Sequence, residues 1–427
     1  MRFSTAALVV VTHVTTLSAQ APSARNRDSL ALTRNAAVAA ALANNPQIDV
    51  AREQTAQARA RRVQAIAIPD PTLAVSFDNQ PGFLQLGAAQ QRNAVLGLAV
   101  PFPDKFRLRN RIGTADVRSF EFAQTGVRQQ LASQTSASYD TLLVAHRHHE
   151  IALVSRTLAS DFLKKTQARY EGGTAAKLDV IRAQVALAQA ENDLIGTERD
   201  IQIASDALDR LIGQPVGVPL APQDSLVVPP PVPDIDVLER AALEARPELG
   251  GLSSQQAGAR ATTSLAREFW LPDFIIGATR DYAADGGGAL FSAGIALPVP
   301  IFYWQHAKGE IAESQHRERE LAASYRDLRA EVVQDVRSGY AVANAARRQA
   351  VYIRDALLPS AREAYRVASV SYGLGGSSAL DVLDARRNLL DAETQYADAL
   401  AAANSARSNL ERAAATPLSQ LDARSSP

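Results

Sequence analysis

The sequence predicts a mainly α-helical fold with a small β part, in which long helical hairpins are written twice beside four short strands. Three observations predict it: an internal repeat at an offset of about 200 residues, heptad seams in the last helix of each copy, and strands of alternating polarity bounded by aromatic residues.

The repeat is carried by landmarks in a fixed order. Ala41 to Pro46 (Ala-Leu-Ala-Asn-Asn-Pro), Ala58-Arg59-Ala60 and Pro69-Asp70-Pro71 are answered by Ala242 to Pro247 (Ala-Leu-Glu-Ala-Arg-Pro), Ala259-Arg260-Ala261 and Leu271-Pro272-Asp273. Leu98 to Pro103 is answered by Ile295 to Pro300, and Tyr170-Glu-Gly-Gly with Leu178-Asp179-Val180 by Tyr372-Gly-Leu-Gly-Gly with Leu380-Asp381-Val382. Four landmarks in one order indicate duplication. The expected organisation is a signal peptide at 1–21, a first repeat at 22–213, a connector at 214–233, a second repeat at 234–416 and a tail at 417–427.

Residues 1–21 read as a secretory signal: Arg2, an apolar stretch from Phe3 to Leu17, and Ala19-Gln20-Ala21 as the cleavage site. Each copy then reads as a short helix, a medium helix, two strands and two long helices. The helices are expected at 30–44, 46–66, 107–170 and 176–213, and again at 235–245, 247–270, 305–372 and 379–415, so that the long hairpins span 107–213 and 305–415. A helix of about 64 residues would be ~96 Å long, far more than a globular domain needs. The connector holds seven prolines, Pro215, Pro219, Pro222, Pro229, Pro230, Pro231 and Pro233. They forbid helix and favour an extended path.

In the last helix of the first copy Val180, Leu187, Leu194, Ile201 and Leu208 recur every seventh residue, answered by Ala183, Ala190, Thr197, Ala204 and Leu211. The second copy repeats the seam with Val382, Leu389, Tyr396, Ala403 and Leu410 against Ala385, Ala392, Ala399, Ala406 and Ala413. A large residue facing a small one lets helices pack closely as knobs into holes.

The strands are expected at 72–78, 93–100, 274–281 and 290–297. Leu73, Val75 and Phe77 alternate with Thr72, Ala74, Ser76 and Asp78; Phe291, Ala293, Ile295 and Leu297 alternate with Ser292, Gly294 and Ala296. One apolar and one small-polar face is the pattern of a transmembrane barrel, and also of a half-buried sheet in a soluble domain. The aromatic residues favour the barrel. Trp270, Phe269, Phe302, Tyr303, Trp304, Phe102 and Phe106 all fall at the strand ends nearest the helices, as an interfacial girdle should. Gly286-Gly287-Gly288 reads as a hairpin tip. Four strands leave two open edges, which hydrocarbon does not tolerate, so the expectation is a homotrimer closing a trimeric 12-stranded transmembrane β-barrel above an α-helical barrel.

Composition excludes several classes. Lys+Arg and Asp+Glu are both 45, so no basic surplus drives binding to nucleic acid. There is no cysteine, hence no disulfide, thiolate metal site or lipid-acceptor cysteine. No window holds 18 uninterrupted apolar residues, so a membrane-bound form would have to be a barrel. No phosphate-cradling glycine loop, Gly-x-Ser-x-Gly elbow or His-Glu-x-x-His motif is present, and neither catalysis nor a cofactor is expected. His146 and His149 share a helix face suited to Zn or Cu, but their repeat counterpart is Arg347-Arg348, so the cluster reads as a solvated face and no metal site is assigned.

Over essentially the whole mature chain the sequence resembles the TolC-type outer-membrane efflux family. The most specific stretch is Tyr372-x-x-Gly375 followed by Asp381-Val382-Leu383-Asp384-Ala385, with Tyr170-x-x-Gly173 and Asp179-Val180 as its counterpart. The resemblance implies a bacterial outer-membrane duct with a long periplasmic part. It would passively conduct drugs or heavy-metal cations received from an inner-membrane pump of the resistance-nodulation-division type through a periplasmic adaptor. Gly172, Gly173, Gly375 and Gly376 would then lie in the turns on which the adaptor docks, and Asp381, Asp384, Tyr372 and Asp179 at the inner constriction. A hydrogen bond from Tyr372 to Asp179 is expected in the closed state. Where the archetypal sequence has an arginine in this turn, this chain has Ser377. Asp381 and Asp384 lie one helical turn apart and would form stacked carboxylate rings in a trimer; Asp381 equally suits a helix start. The competing reading of the helices is a periplasmic coiled-coil adaptor or structural protein without a membrane barrel.

Overall fold

The computed structural model describes residues 30–82, 86, 89–283, 288–299, 301–418 and 420–421. The expected signal segment at 1–21, the tip residues 286 and 287, and most of the tail beyond 421 lie outside the described residues.

Two series of elements follow one another. The first comprises β1 (Leu30–Leu32), α1 (Arg34–Asn44), α2 (Pro46–Ala65), β2 (Thr72–Asp78), β3 (Gln91–Val100), α3 (Pro103–Glu171) and α4 (Lys177–Ile212). After β4 (Leu220–Pro222), the second comprises α5 (Ile235–Ala245), α6 (Pro247–Arg267), β5 (Phe274–Ala283), β6 (Leu290–Ala296), α7 (Tyr303–Tyr352), α8 (Leu358–Leu374) and α9 (Ala379–Ala413). The 69-residue α3 is ~104 Å long at about 1.5 Å per residue. It begins directly at Pro103, where a missing N–H costs nothing, with Asp104 in its first turn at the positive end of the dipole.

Three features depart from the expected elements. The helix expected from residue 30 begins at Arg34, because Thr33 caps it by accepting from the Ala36 N–H at 3.2 Å. Leu30–Leu32 instead pairs in parallel with β4, so the connector supplies a strand as well as an extended path. The third is in the long helix expected over 305–372, which is divided by a π-helical segment, Ile353–Leu357, ahead of Pro359. A proline ring has no N–H and crowds the carbonyl four residues back, and widening the turn relieves both. The carbonyls along the proline run still need donors. They receive them from Asn404 to Val227 O at 3.0 Å, Arg347 to Pro229 O at 3.1 Å and Arg407 to Pro230 O at 3.3 Å.

The four-stranded sheet has the order β2-β3-β5-β6, antiparallel throughout, and β3 with β5 joins the two series. Its register sets Leu73, Leu96, Ala278 and Ala293 in one lateral row, and Val75, Ala94, Arg280 and Phe291 in the next. Leu73, Val75, Leu96, Ile276, Phe291 and Ile295 therefore share one face, while Val95 and Ile275 lie on the other. β2 and β6 keep one free edge each within the chain.

The helices pack through the expected seams. Val180, Ala183, Ala190, Ala204, Leu208 and Leu211 are buried on α4, as are Val382, Ala392, Ala399, Ala403, Ala406 and Leu410 on α9. Near the connector Asp140 is 1% exposed and paired with Arg34, yet burial pushes its carboxyl up to about 6. Tyr139 beside it donates to Leu32 O at 2.8 Å and fixes β1 against the core. Leucine at both Ala392 and Ala399 should overpack α9 against its neighbours at about 1 to 3 kcal/mol per site. The expected result is a lower melting temperature, measured by circular dichroism against the unaltered protein; an unchanged melt would refute the seam.

Candidate functional site

Two regions carry the residues singled out by sequence. The first is the helix-side end of the sheet. Trp270 is 64% exposed, Phe302 61% and Trp304 53%, an arrangement that water alone would not favour. Phe302 and Trp304 meet edge to face at 5.8 Å between ring centroids, and Phe102 stacks on Phe274 at 6.1 Å. Phe269 and Phe106 are half-buried at the same level; the side chain of Tyr303 lies outside the described part of the chain. Lys105 reaches Asp273 at 2.9 Å and ties the start of α3 to the start of β5. No described helix is long and apolar enough to cross a membrane.

The second region is where the α3–α4 and α8–α9 hairpins turn. Gly173 and Gly375 adopt φ of 72° and 85°, a conformation that side chains disfavour, and both turns close with glycine for that reason. Gly172 and Gly376 are their neighbours in the two turns. Phe162, Ala183, Tyr372, Ala379 and Val382 form one apolar cluster that fastens the hairpins to each other. Tyr372 is 4% exposed, with its ring 5.4 Å from that of Phe162.

That burial overturns one expectation. The Tyr372 hydroxyl lies against Thr166 Oγ1 at 3.3 Å, not against Asp179, because packing on Phe162 aims the ring at α3. Asp179 in the first turn of α4 pairs with Arg182 at 3.6 Å. The residue that sequence reasoning missed is Arg169. Its guanidinium lies 4.5 Å from the centre of the Tyr372 ring and donates to the Tyr372 carbonyl and, at 3.3 Å, to the Thr174 carbonyl. One side chain from the first hairpin thus holds both turns. Ser377, at the archetypal arginine position, donates to Ala368 O at 3.0 Å within its own hairpin.

Asp381 closes a capping box: its N–H donates to Ser378 Oγ at 3.2 Å, and its carboxylate accepts from the Ser378 N–H and hydroxyl, both at 2.8 Å. Those donors hold its carboxyl below the usual range. Asp384 is exposed one turn further on. The histidines of the 146–149 cluster diverge: His148 faces Asp398 on α9 at 3.0 Å, and His149 faces Thr197 on α4 at 3.0 Å. No group of three metal-ligating side chains forms among the described residues.

The outer membrane efflux protein family model matches residues 37–214 and again 238–416. The chain belongs to that family. It is an outer-membrane efflux channel and not an enzyme. Similar relatives include the cobalt-zinc-cadmium resistance protein CzcC of Cupriavidus metallidurans, 25% identical over 386 residues and covering 89% of each chain. The pyoverdine export outer membrane protein OpmQ of Pseudomonas aeruginosa is 25% identical over 365 residues, covering 81% of this chain and 76% of OpmQ. The outer membrane protein VceC of Vibrio cholerae shares the fold with a TM-score of 0.75 at 19% identity, over 90% of this chain and 96% of VceC.

Arg169→Ala removes two charge-assisted hydrogen bonds, each worth about 1.5 to 3 kcal/mol, and a ring contact worth about 0.5 to 1. Tyr372→Phe removes only one neutral hydrogen bond, about 0.5 to 1.5 kcal/mol. Hydrogen exchange at the ends of α3 and α8 should therefore accelerate more in Arg169→Ala; equal exchange in both variants would show that Arg169 does not hold the turns.

Proposed function

We propose that three copies of this chain close a 12-stranded barrel in the outer membrane and extend it into the periplasm as an α-helical tunnel. The tunnel passes substrates expelled by an inner-membrane pump of the resistance-nodulation-division type, received through a periplasmic adaptor docked on the turns at Gly172-Gly173 and Gly375-Gly376. The observation that carries this reading is the sheet with an apolar face and two free edges, which only association can satisfy in hydrocarbon. Apolar side chains left uncovered on α4, including Ile181, Val185, Ile195 and Ile203, support contact with a neighbouring copy. The two family matches support a duplicated unit, with repeats at 22–213 and 234–416. The match over 89% of each chain to a cobalt-zinc-cadmium resistance protein favours heavy-metal cations as cargo over drugs. Trp270, Trp304 and Phe302 then mark the inner membrane boundary, and Asp179, Tyr372, Asp381 and Asp384 the constriction.

Arginine on the apolar face should oppose insertion, by about 2 to 4 kcal/mol near the midplane and less near the boundaries. Ile295 lies two rows deeper than Arg280, whereas Val75 shares the Arg280 row. Ile295→Arg should therefore deplete trimer in outer-membrane extracts far more than Val75→Arg. Equal, undiminished yields on a semi-native gel would sink the barrel.

Each Asp381→Asn and Asp384→Asn change removes one carboxylate per copy from the inner mouth, three in a trimer. The double variant should lose cation selectivity and block by divalent cations in planar-bilayer recordings. Unchanged selectivity would leave Asp381 a helix cap and remove both residues from the constriction.

A further inference from the structure

The sheet end of α6 and the start of α7 bring together both tryptophans of the chain and two cations that lack an ion pair. Arg267 is the last residue of α6, three before Trp270, and Lys308 lies on α7, four after Trp304. Spacings of three and four set each pair on one helix face, with the cation roughly 5 to 6 Å further from the sheet than its tryptophan. Arg267 and Lys308 are both exposed, and neither meets a carboxylate among the described residues.

The two pairs lie side by side. Gln256 on α6 donates to Leu321 O on α7 at 3.0 Å, which aligns the antiparallel helices. About 16 Å nearer the sheet, at about 1.5 Å per residue, α6 reaches Arg267 and α7 reaches Glu310, with Lys308 ~3 Å beyond. The carboxylates in reach are engaged or turned aside. Glu268 shares a hydrogen bond with Asp104, and Asp273 is held by Lys105 at 2.9 Å. Glu310 lies about 200° around α7 from Lys308 and forms no ion pair with either cation.

On the barrel reading the tryptophans mark the edge of the hydrocarbon, and the headgroup layer beyond it is roughly 5 to 7 Å deep. Arg267 and Lys308 therefore stand at the depth of lipid phosphates. The exposed rings of Trp270, Trp304 and Phe302 offer an apolar seat for the glycerol and the upper acyl carbons. A zwitterionic lipid brings its own ammonium group to this depth and offsets the attraction. A lipid of net negative charge does not.

We propose that Arg267 and Lys308, one helical turn below Trp270 and Trp304, form a site for the phosphate of an anionic phospholipid in the inner leaflet of the outer membrane. The site rests on the barrel reading, since only a membrane brings such a lipid to this level. It holds the junction of barrel and helices at a fixed depth.

The test uses Trp270 and Trp304 as the probe, since the chain has no other tryptophan. The full chain is reconstituted in phosphatidylcholine vesicles with a minor fraction of lipid brominated near the headgroup, either phosphatidylglycerol or phosphatidylcholine, and tryptophan quenching gives their relative affinity. The unaltered chain should favour phosphatidylglycerol about tenfold at low salt, and Arg267→Gln with Lys308→Gln should bring the ratio close to one. Salt at about 0.5 M should erase the preference in the unaltered chain, a measurement that stands even where the variant fails to assemble. A preference that survives either the double change or the salt overturns the site. So does its loss to millimolar inorganic phosphate at constant ionic strength, which would mark a free-anion site. Quenching by neither lipid puts both tryptophans outside the membrane and removes the barrel reading with the site; quenching by both alike in the unaltered chain removes the site alone.

Discussion

The backbone N–H and C=O groups along the free edges of β2 and β6 need partners, and in hydrocarbon neither water nor the chain's own strands supply them. This requirement orders the remaining features. A soluble sheet of the same length could leave its edges to water, but this one shows Leu73, Val75, Phe291 and Ile295 on an exposed face. The face asks for lipid, and lipid forbids the edges. On the proposed assembly another copy of the same sheet meets both demands, and the three-fold arrangement then passes down the chain, because α3 and α7 leave β3 and β6 with only a few residues between.

Long helices need a reason to stay side by side over such a distance, and alanine provides it. With Ala183 and Ala190 on α4, and Ala392, Ala399 and Ala406 on α9, all buried, the backbones approach closely and dispersion contacts accumulate along the seam. Polar links hold α3 and α8 in register with α9. Arg147 reaches Glu393 at 3.3 Å, and Arg362 reaches the same carboxylate at 2.6 Å. The arginines are exposed while the shared Glu393 carboxylate is largely covered, so the pairs fix where the helices align.

Periodic features were legible in the sequence and single-residue contacts were not. Alternation located β2 at Thr72–Asp78 as expected, and the heptads placed Val180 and Val382 on buried faces. Those patterns are summed over many residues, so no single position decides them. β1 was missed because three residues of Leu-Ala-Leu suit a helix start equally well until a partner strand appears across nearly two hundred residues. The π segment had a local signal in Pro359, outweighed by the helical pattern on both sides. Arg169 had none of its own. Its role depends on where Tyr372 lies in space, and the family motif drew attention to the tyrosine and not to what packs on it.

A signal for Arg169 does exist in the difference between the two series. Tyr170 and Tyr372 occupy matching turns, yet Tyr170 is 43% exposed and Tyr372 4%. Counting back from each tyrosine, Arg169 stands where the second series has Ser371, and Thr166 where it has Ala368. The residues that do not repeat are those that make the contact. A chain with two near-identical units faces many nearly equivalent pairings, among them like with like between copies. Placing a cation in one unit and its aromatic partner in the other, as Arg169 and Tyr372 are placed, favours packing of first on second over the alternatives at the hairpin turns. The repeat thus supplies the scaffold, and its departures from repetition specify how the two units meet.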